Sequence, residues 1–211
     1  MSDVTAIDIL LDPDATMLQH AQAANARLRQ AFPKGYGLDA AHQPHISCLQ
    51  RYVKTDAIES VYAAVGNVLS AAHPTQWKLT AFKYYYIPWK GLGLAGIVIR
   101  PTDELLAYQQ KLIDAVAPFT MPRGTAAAYV TTPEDPEIVP PVIAYVANFV
   151  PEHSGKNFSP HVTIGLATED YLKGMLAEKF DEFTFSPAAV SVFQLGNYGV
   201  AAKKLKSFTL Q

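Results

Sequence analysis

The chain has 211 residues, 49% apolar and 17% charged, long enough to bury a sizeable core in one large domain and too apolar for a disordered segment. A net charge of -2 excludes the broad basic surface that displaces counterions from nucleic acid, and the one basic cluster, Lys203, Lys204 and Lys206, reads as a solvated edge strand. The single cysteine excludes an internal disulfide, the apolar runs are strand-sized and not membrane-spanning, and "MSDVTAIDILL" opens without a positive leader region, which predicts a cytoplasmic protein or an exported one whose leader has been removed.

Val4 to Leu11 is β-branched and apolar, is broken by Asp12-Pro13-Asp14, and predicts a buried strand. Met17, Ala21, Ala24 and Leu28 then recur at helical spacing, predicting an amphipathic helix that ends before Pro33. A loop rich in Gly, Pro and His leads into a strand carrying His45. A second helix begins near Thr55 and Asp56, with Ile58, Val61, Tyr62, Val65 and Leu69 on one face. Trp77 to Ile87 and Gly93 to Arg100 predict a hairpin about the turn "PWKGL".

After Pro101 the order begins again. Thr102 is placed as an N-cap before a helix lined by Leu105, Leu106, Leu112, Ile113 and Val116. Residues 118–159 read as a Pro-rich, irregular insert with one strand-like run, Val142 to Val150. A strand carrying His161 follows, then a helix from Thr168 with Tyr171, Leu172, Met175, Leu176 and Phe180. A hairpin, "AVSVFQLG" and "AKKLKSFTL" about "NYG", closes the chain. Each half is strand, helix, histidine strand, helix, strand, and the insert accounts for the wider spacing between the histidines. This predicts one domain of two pseudo-symmetric lobes, about 1–90 and 91–211, mixing α and β with two sheets.

The repeated phrase carries the chemistry. In "QPHISCLQ" (Gln43 to Gln50) and "SPHVTIGL" (Ser159 to Leu166), strand alternation puts His45 with Ser47, and His161 with Thr163, on one face. If the lobes pack about a pseudo-twofold axis, both polar pairs converge on one cleft. Phosphodiester cleavage suits such a site. One imidazole takes a proton from water or a ribose hydroxyl, the other protonates the leaving oxygen, and the two hydroxyls donate to the non-bridging oxygens without needing a metal. Arg51, four residues after Ser47, is a candidate phosphate ligand; Tyr86, which shares a face with Tyr84, and Tyr198 are candidate base-stacking residues. Three alternatives stand beside this: two satisfied core histidines, a zinc site drawn from His42, His45, His153 and His161, and Cys48 as nucleophile, which alternation turns away from His45.

The pair "PHISCL" and "PHVTIG" resembles the two His-x-Ser/Thr motifs of the two-histidine (2H) phosphoesterase superfamily, which includes 2′-5′ RNA ligase-like proteins and cyclic nucleotide phosphodiesterases. The resemblance implies an α+β fold of duplicated β-α-β-α-β lobes, two antiparallel sheets flanking a central cleft, and helices outside. It implies acid and base roles for His45 and His161 and phosphate-holding roles for Ser47 and Thr163, with no cofactor. The substrate would be a 2′,3′-cyclic phosphate or 2′-5′-linked nucleotide or RNA end, turned over by a monomer with no membrane partner. The alternative function is a nucleotide-binding module on the same fold that lacks turnover.

Overall fold

The computed structural model describes residues 2–133 and 135–210. In chain order its elements are β1 (Val4–Pro13), α1 (Ala15–Ala31), β2 (Ile46–Lys54), α2 (Ile58–Ala72), β3 (Leu79–Trp89), β4 (Leu92–Ile99), α3 (Asp103–Val116), β5 (Thr120–Met121), α4 (Pro140–His153), β6 (His161–Thr168), α5 (Glu169–Ala177), β7 (Phe183–Phe185), β8 (Pro187–Leu195) and β9 (Ala201–Thr209). The helix starts are set by short polar caps. Asp14 accepts from the amides of Thr16 and Met17 at the head of α1, Thr102 from Leu105 on α3, and Thr168 from Tyr171 on α5. The β3–β4 turn places Lys90 (φ 50°) and Gly91 (φ 81°) in the left-handed region, as a two-residue hairpin turn of primed type requires.

The fold is α+β with two sheets, ordered β5-β2-β1-β8-β9 and β6-β4-β3-β7, in which every paired neighbour is antiparallel. Each sheet takes strands from both halves of the chain. β8 and β9 complete the sheet of β1 and β2, while β3 joins β4 and β6, so the division at about residue 90 does not separate the lobes. The sequence repeat counts elements but does not say which sheet a strand joins.

Alternation along the strands divides the two faces of each sheet. Ile7, Ile9 and Leu11 of β1 join Met17, Ala21 and Leu28 of α1 in the main core, which also takes Val61 and Val65 of α2, Leu105 and Leu112 of α3, and Leu172 and Met175 of α5. On the other face of β1, Ala6 packs with Tyr52, Tyr129 and Val146, and Leu10 with Phe193.

The insert differs from expectation at α4, because Val142 to Val150 is helical. Pro140 supplies the first helical residue, where its missing N–H and fixed φ cost nothing, and Val146 and Phe149 come round to one buried side. The β-branched residues favoured a strand, but burial on one face at helical spacing decides against that preference. Tyr52 on β2 donates its hydroxyl to the Ile143 carbonyl of α4 (3.0 Å), which fixes the helix beside the inner face of the first sheet.

Candidate active site

Both histidines are held by the same local device. The ring Nδ1–H of His45 donates to the carbonyl of Gln43 (2.7 Å), and that of His161 to the carbonyl of Ser159 (2.8 Å), each two residues back across a proline. A carbonyl can only accept, so both rings carry their proton on Nδ1 when neutral and present a bare Nε2. β2 and β6 run in contact, which brings the two rings into one electrostatic field.

The strands repeat a second feature. β1 pairs Ile9 with Leu49 and Leu10 with Ser47, leaving Cys48 as an extra residue; β4 pairs Ala95 with Gly165 and Gly96 with Thr163, leaving Ile164 extra. Each hydroxyl is thus followed by a β-bulge, which reverses the alternation beyond it. Ser47 therefore shares its face with Gln50 and Tyr52, and Arg51 pairs with Ile7 on the opposite, helix-covered face. Arg51 does not share the face of Ser47, and burial lowers its pKa. Cys48 is fully buried in the core, and its thiol pKa is pushed up by burial, and further by the Asp8 charge, which removes it as a nucleophile.

The two lobes differ beside the bulges. Opposite Gln50 on β1 lies Asp8, 0% exposed; the matching pair in the second lobe is Leu94 and Leu166. Asp8 Oδ2 accepts from Ser47 Oγ (2.5 Å) and Gln50 Nε2 (3.0 Å), and lies 3.9 Å from His45 Nε2. Burial raises the Asp8 pKa, while the charge of His45 and the hydrogen bonds from Ser47 and Gln50 pull it back. Asp8 Oδ1 has no hydrogen-bond partner among the described residues. On the other side, burial lowers the pKa of His161; its bond to Ser159 opposes the shift, and the charges of His45 and His153 add to it.

A tyrosine completes the second lobe's side. β3 pairs Tyr84 with Ile97 and Tyr86 with Ala95, both core residues, so Tyr84 and Tyr86 face the helices, and the base-stacking role expected for Tyr86 does not fit its position. Tyr85, between them, crosses Gly96 toward Thr163, and its ring meets His161 edge-on with centroids 4.9 Å apart. A Cβ on Gly96 would come within 2.4 Å of that ring. Tyr145 of α4 packs at a tilt against His153 (ring centroids 4.4 Å apart), and its phenol is pushed up to about 12 by burial and by the Asp8 charge. Tyr198 projects from the β8–β9 turn, 63% exposed at φ 54°, and makes no ring contact with either histidine.

The other two histidines of the possible zinc set have other partners: His42 bonds Asp39 (3.1 Å) and stacks on Tyr36, and His153 packs on Tyr145 and Phe149. Among the described residues no three His, Cys, Asp or Glu side chains form a group able to hold a metal ion. No described helix is long and apolar enough to cross a membrane.

Sequence reasoning missed Asp8, Gln50 and Tyr85. The signal for Asp8 was present, a lone carboxylate inside the buried strand "VTAIDILL"; Gln50 and Tyr85 needed the bulge and the sheet pairing.

Comparison with known proteins agrees with this architecture. No protein-family model matches the chain, and no curated protein matches its sequence. Among solved structures, TT0787 of Thermus thermophilus overlays 98% of this chain and 98% of its own, with a TM-score of 0.56 and 14% identity. E. coli LigT complexed with 3′-AMP covers 100% of this chain and 99% of its own at a TM-score of 0.49 and 13% identity, and a phosphoesterase covers 98% and 99% at 0.48 and 12%. The chain thus shares with TT0787 an α+β fold built on two antiparallel sheets, the kind of fold that its two motifs led us to expect.

Proposed function

We propose that the protein is a phosphodiesterase of the two-histidine type that opens 2′,3′-cyclic phosphates, or cleaves or joins 2′-5′ linkages, in small nucleotides or RNA ends. The observation that carries this reading is the matched pair of imidazoles, each fixed through Nδ1 to a carbonyl two residues upstream so that Nε2 is free to exchange a proton. Two such groups on either side of one phosphate can take and return a proton in the same turnover.

The asymmetry of the lobes assigns the roles. His161, whose pKa burial keeps low, is neutral at neutral pH and takes the proton from the attacking water. His45, whose Nε2 lies 3.9 Å from the Asp8 carboxyl, takes the acid role and protonates the leaving ribose oxygen, the P–O ester bond breaking as the new P–O bond to water forms. The Thr163 hydroxyl donates to a non-bridging oxygen. Ser47 donates to Asp8 in the resting site and turns toward the phosphate when substrate enters. None of these steps calls on a metal ion.

The test is a screen of 2′,3′-cyclic and 2′-5′-linked nucleotides with EDTA present. The expected result is opening of a cyclic ester to a monophosphate at a rate that EDTA leaves unchanged. Binding of these nucleotides with no turnover would identify a binding module, and turnover lost on chelation and restored by zinc would identify a metal site.

A further inference from the structure

Two buried carboxamides stand in crossed relation to the histidines. Asn25 of α1, 5% exposed, donates through Nδ2 to the carbonyl of Ile164 (2.8 Å), the bulge residue just after Thr163, and to the carbonyl of Tyr36 (3.1 Å). Its Oδ1 accepts from the amide of Leu38 (3.3 Å), and Tyr36 and Leu38 lie in the loop that delivers His45. Gln109 of α3, 1% exposed, repeats the arrangement from the other half of the chain. Its Nε2 donates to the carbonyl of Cys48 (3.0 Å), the bulge residue just after Ser47, and its Oε1 accepts from the amide of Gly155 (3.0 Å), in the loop that delivers His161.

Each amide therefore ties the loop leading to one histidine to the bulge behind the other. The approach is built into the backbone: Gly165 lies at φ 136°, and a Cβ there would come within 2.7 Å of Asn25 Nδ2. Helix packing alone gives no reason for an amide at both places, since an apolar side chain of the same volume would fill them. A bulge carbonyl turned out of its ladder does need a donor, and a buried one left without it costs about 1–3 kcal/mol. What is particular here is where the second half of each amide goes.

We propose that Asn25 and Gln109 are paired positioning residues that fix the separation and aim of His45 and His161 by bracing each histidine's loop against the other histidine's strand. Neither touches the phosphate. A displacement of about 1 Å between acid and base is enough to lower a rate roughly 100-fold, so the braces act on turnover and not on affinity. The rate arm of the test rests on the phosphodiesterase reading; the spectroscopic arm does not.

Asn25→Leu and Gln109→Met keep the side-chain volume and remove the hydrogen bonds. Each is expected to lower kcat on a 2′,3′-cyclic nucleotide about 10- to 100-fold with KM near the wild-type value. In protein labelled at the histidine Cε1–H groups, each single variant should shift the resonances of both His45 and His161. Asn25→Ser and Gln109→Asn, which stay neutral and polar but are too short to span both partners, give the same readings should the apolar variants not fold. Earlier melting with normal kcat, or a shift confined to the histidine of one lobe, would overturn the proposal. Wild-type protein without turnover would count against the phosphodiesterase reading alone, and the paired resonance shifts would still decide the positioning roles.

Discussion

Asp8→Asn should make the protein more stable and slower at once. The Asp8 carboxyl is fully buried with one oxygen unpartnered, and burial raises its pKa above the ordinary 3.8, so the folded state holds its proton more tightly than the unfolded chain. The sign follows from that order. Wild-type stability falls as pH rises from the ordinary carboxylate value through the raised one, and a side chain that never ionises avoids the fall. An amide oxygen in the place of Oδ2 still accepts from Ser47 and Gln50. Replacing a buried charge by a neutral isostere that keeps these bonds is expected to stabilise by about 1–2 kcal/mol at pH 7, or roughly 2–8 °C in Tm for a chain of this size.

Turnover moves the other way. Two unit charges about 4 Å apart interact by about 4 kcal/mol at an effective dielectric near 20. His45 is 20% exposed and lies 3.9 Å from Asp8, so solvent screening leaves about 1–2 kcal/mol, a loss of about 5- to 30-fold in kcat. Thermal melts of both proteins from pH 4 to 8, with kcat at pH 7, make the assay. The Tm gain should fade toward pH 4, as the unfolded chain also begins to take up the proton that the folded state already holds. A variant that melts earlier than wild type by the same amount at every pH, and turns over normally, would refute the reasoning.

Other outcomes follow from the same geometry. The acid limb of the pH profile of kcat/KM should have its midpoint below 6.5, because burial lowers His161 and the base is lost only when it protonates. Thr163→Ala should lower kcat by about 10- to 1000-fold as one donor to the phosphate oxygens is removed, and Ser47→Ala by less, since that hydroxyl is engaged with Asp8 in the resting site; steady-state kinetics on one cyclic nucleotide compares the two. Gly96→Ala should push the Tyr85 ring off His161 and lower kcat by about 10-fold. Combining it with Tyr85→Leu should add little to either single change, because both act on one contact.

What the sequence made legible was local. Alternation in "PHISCL" places His45 with Ser47 and turns Cys48 inward; in the structure Cys48 is buried in the core, and His45 and Ser47 both approach Asp8. Helix faces such as Met17, Ala21, Ala24 and Leu28 are buried as their spacing predicts. Alternation fails one residue later, because a bulge at Cys48 leaves no mark in the composition; Gln50, and not Arg51, then falls on the side of Ser47. In "YYYIPW" the spacing shows that Tyr84 and Tyr86 share a face, but only pairing with Gly96 shows that Tyr85 is the one beside His161. The exchange of β3 against β8 and β9 between sheets is a matter of partner choice between strands far apart in the chain, and no local pattern encodes it. The helix over Val142 to Val150 depended on the inner face it covers, which the sequence does not display.

The paired acid–base mechanism is tested most directly by the turnover of a 2′,3′-cyclic nucleotide in His45→Ala, His161→Ala and the double variant, with circular dichroism confirming that each is folded. Each single change should remove about 10²- to 10⁴-fold of kcat, and the double variant should be little worse than the worse single one, because groups that act as a unit are not additive. A His45→Ala protein with near-wild-type kcat beside an inactive His161→Ala protein would contradict the account and leave a site with one working histidine.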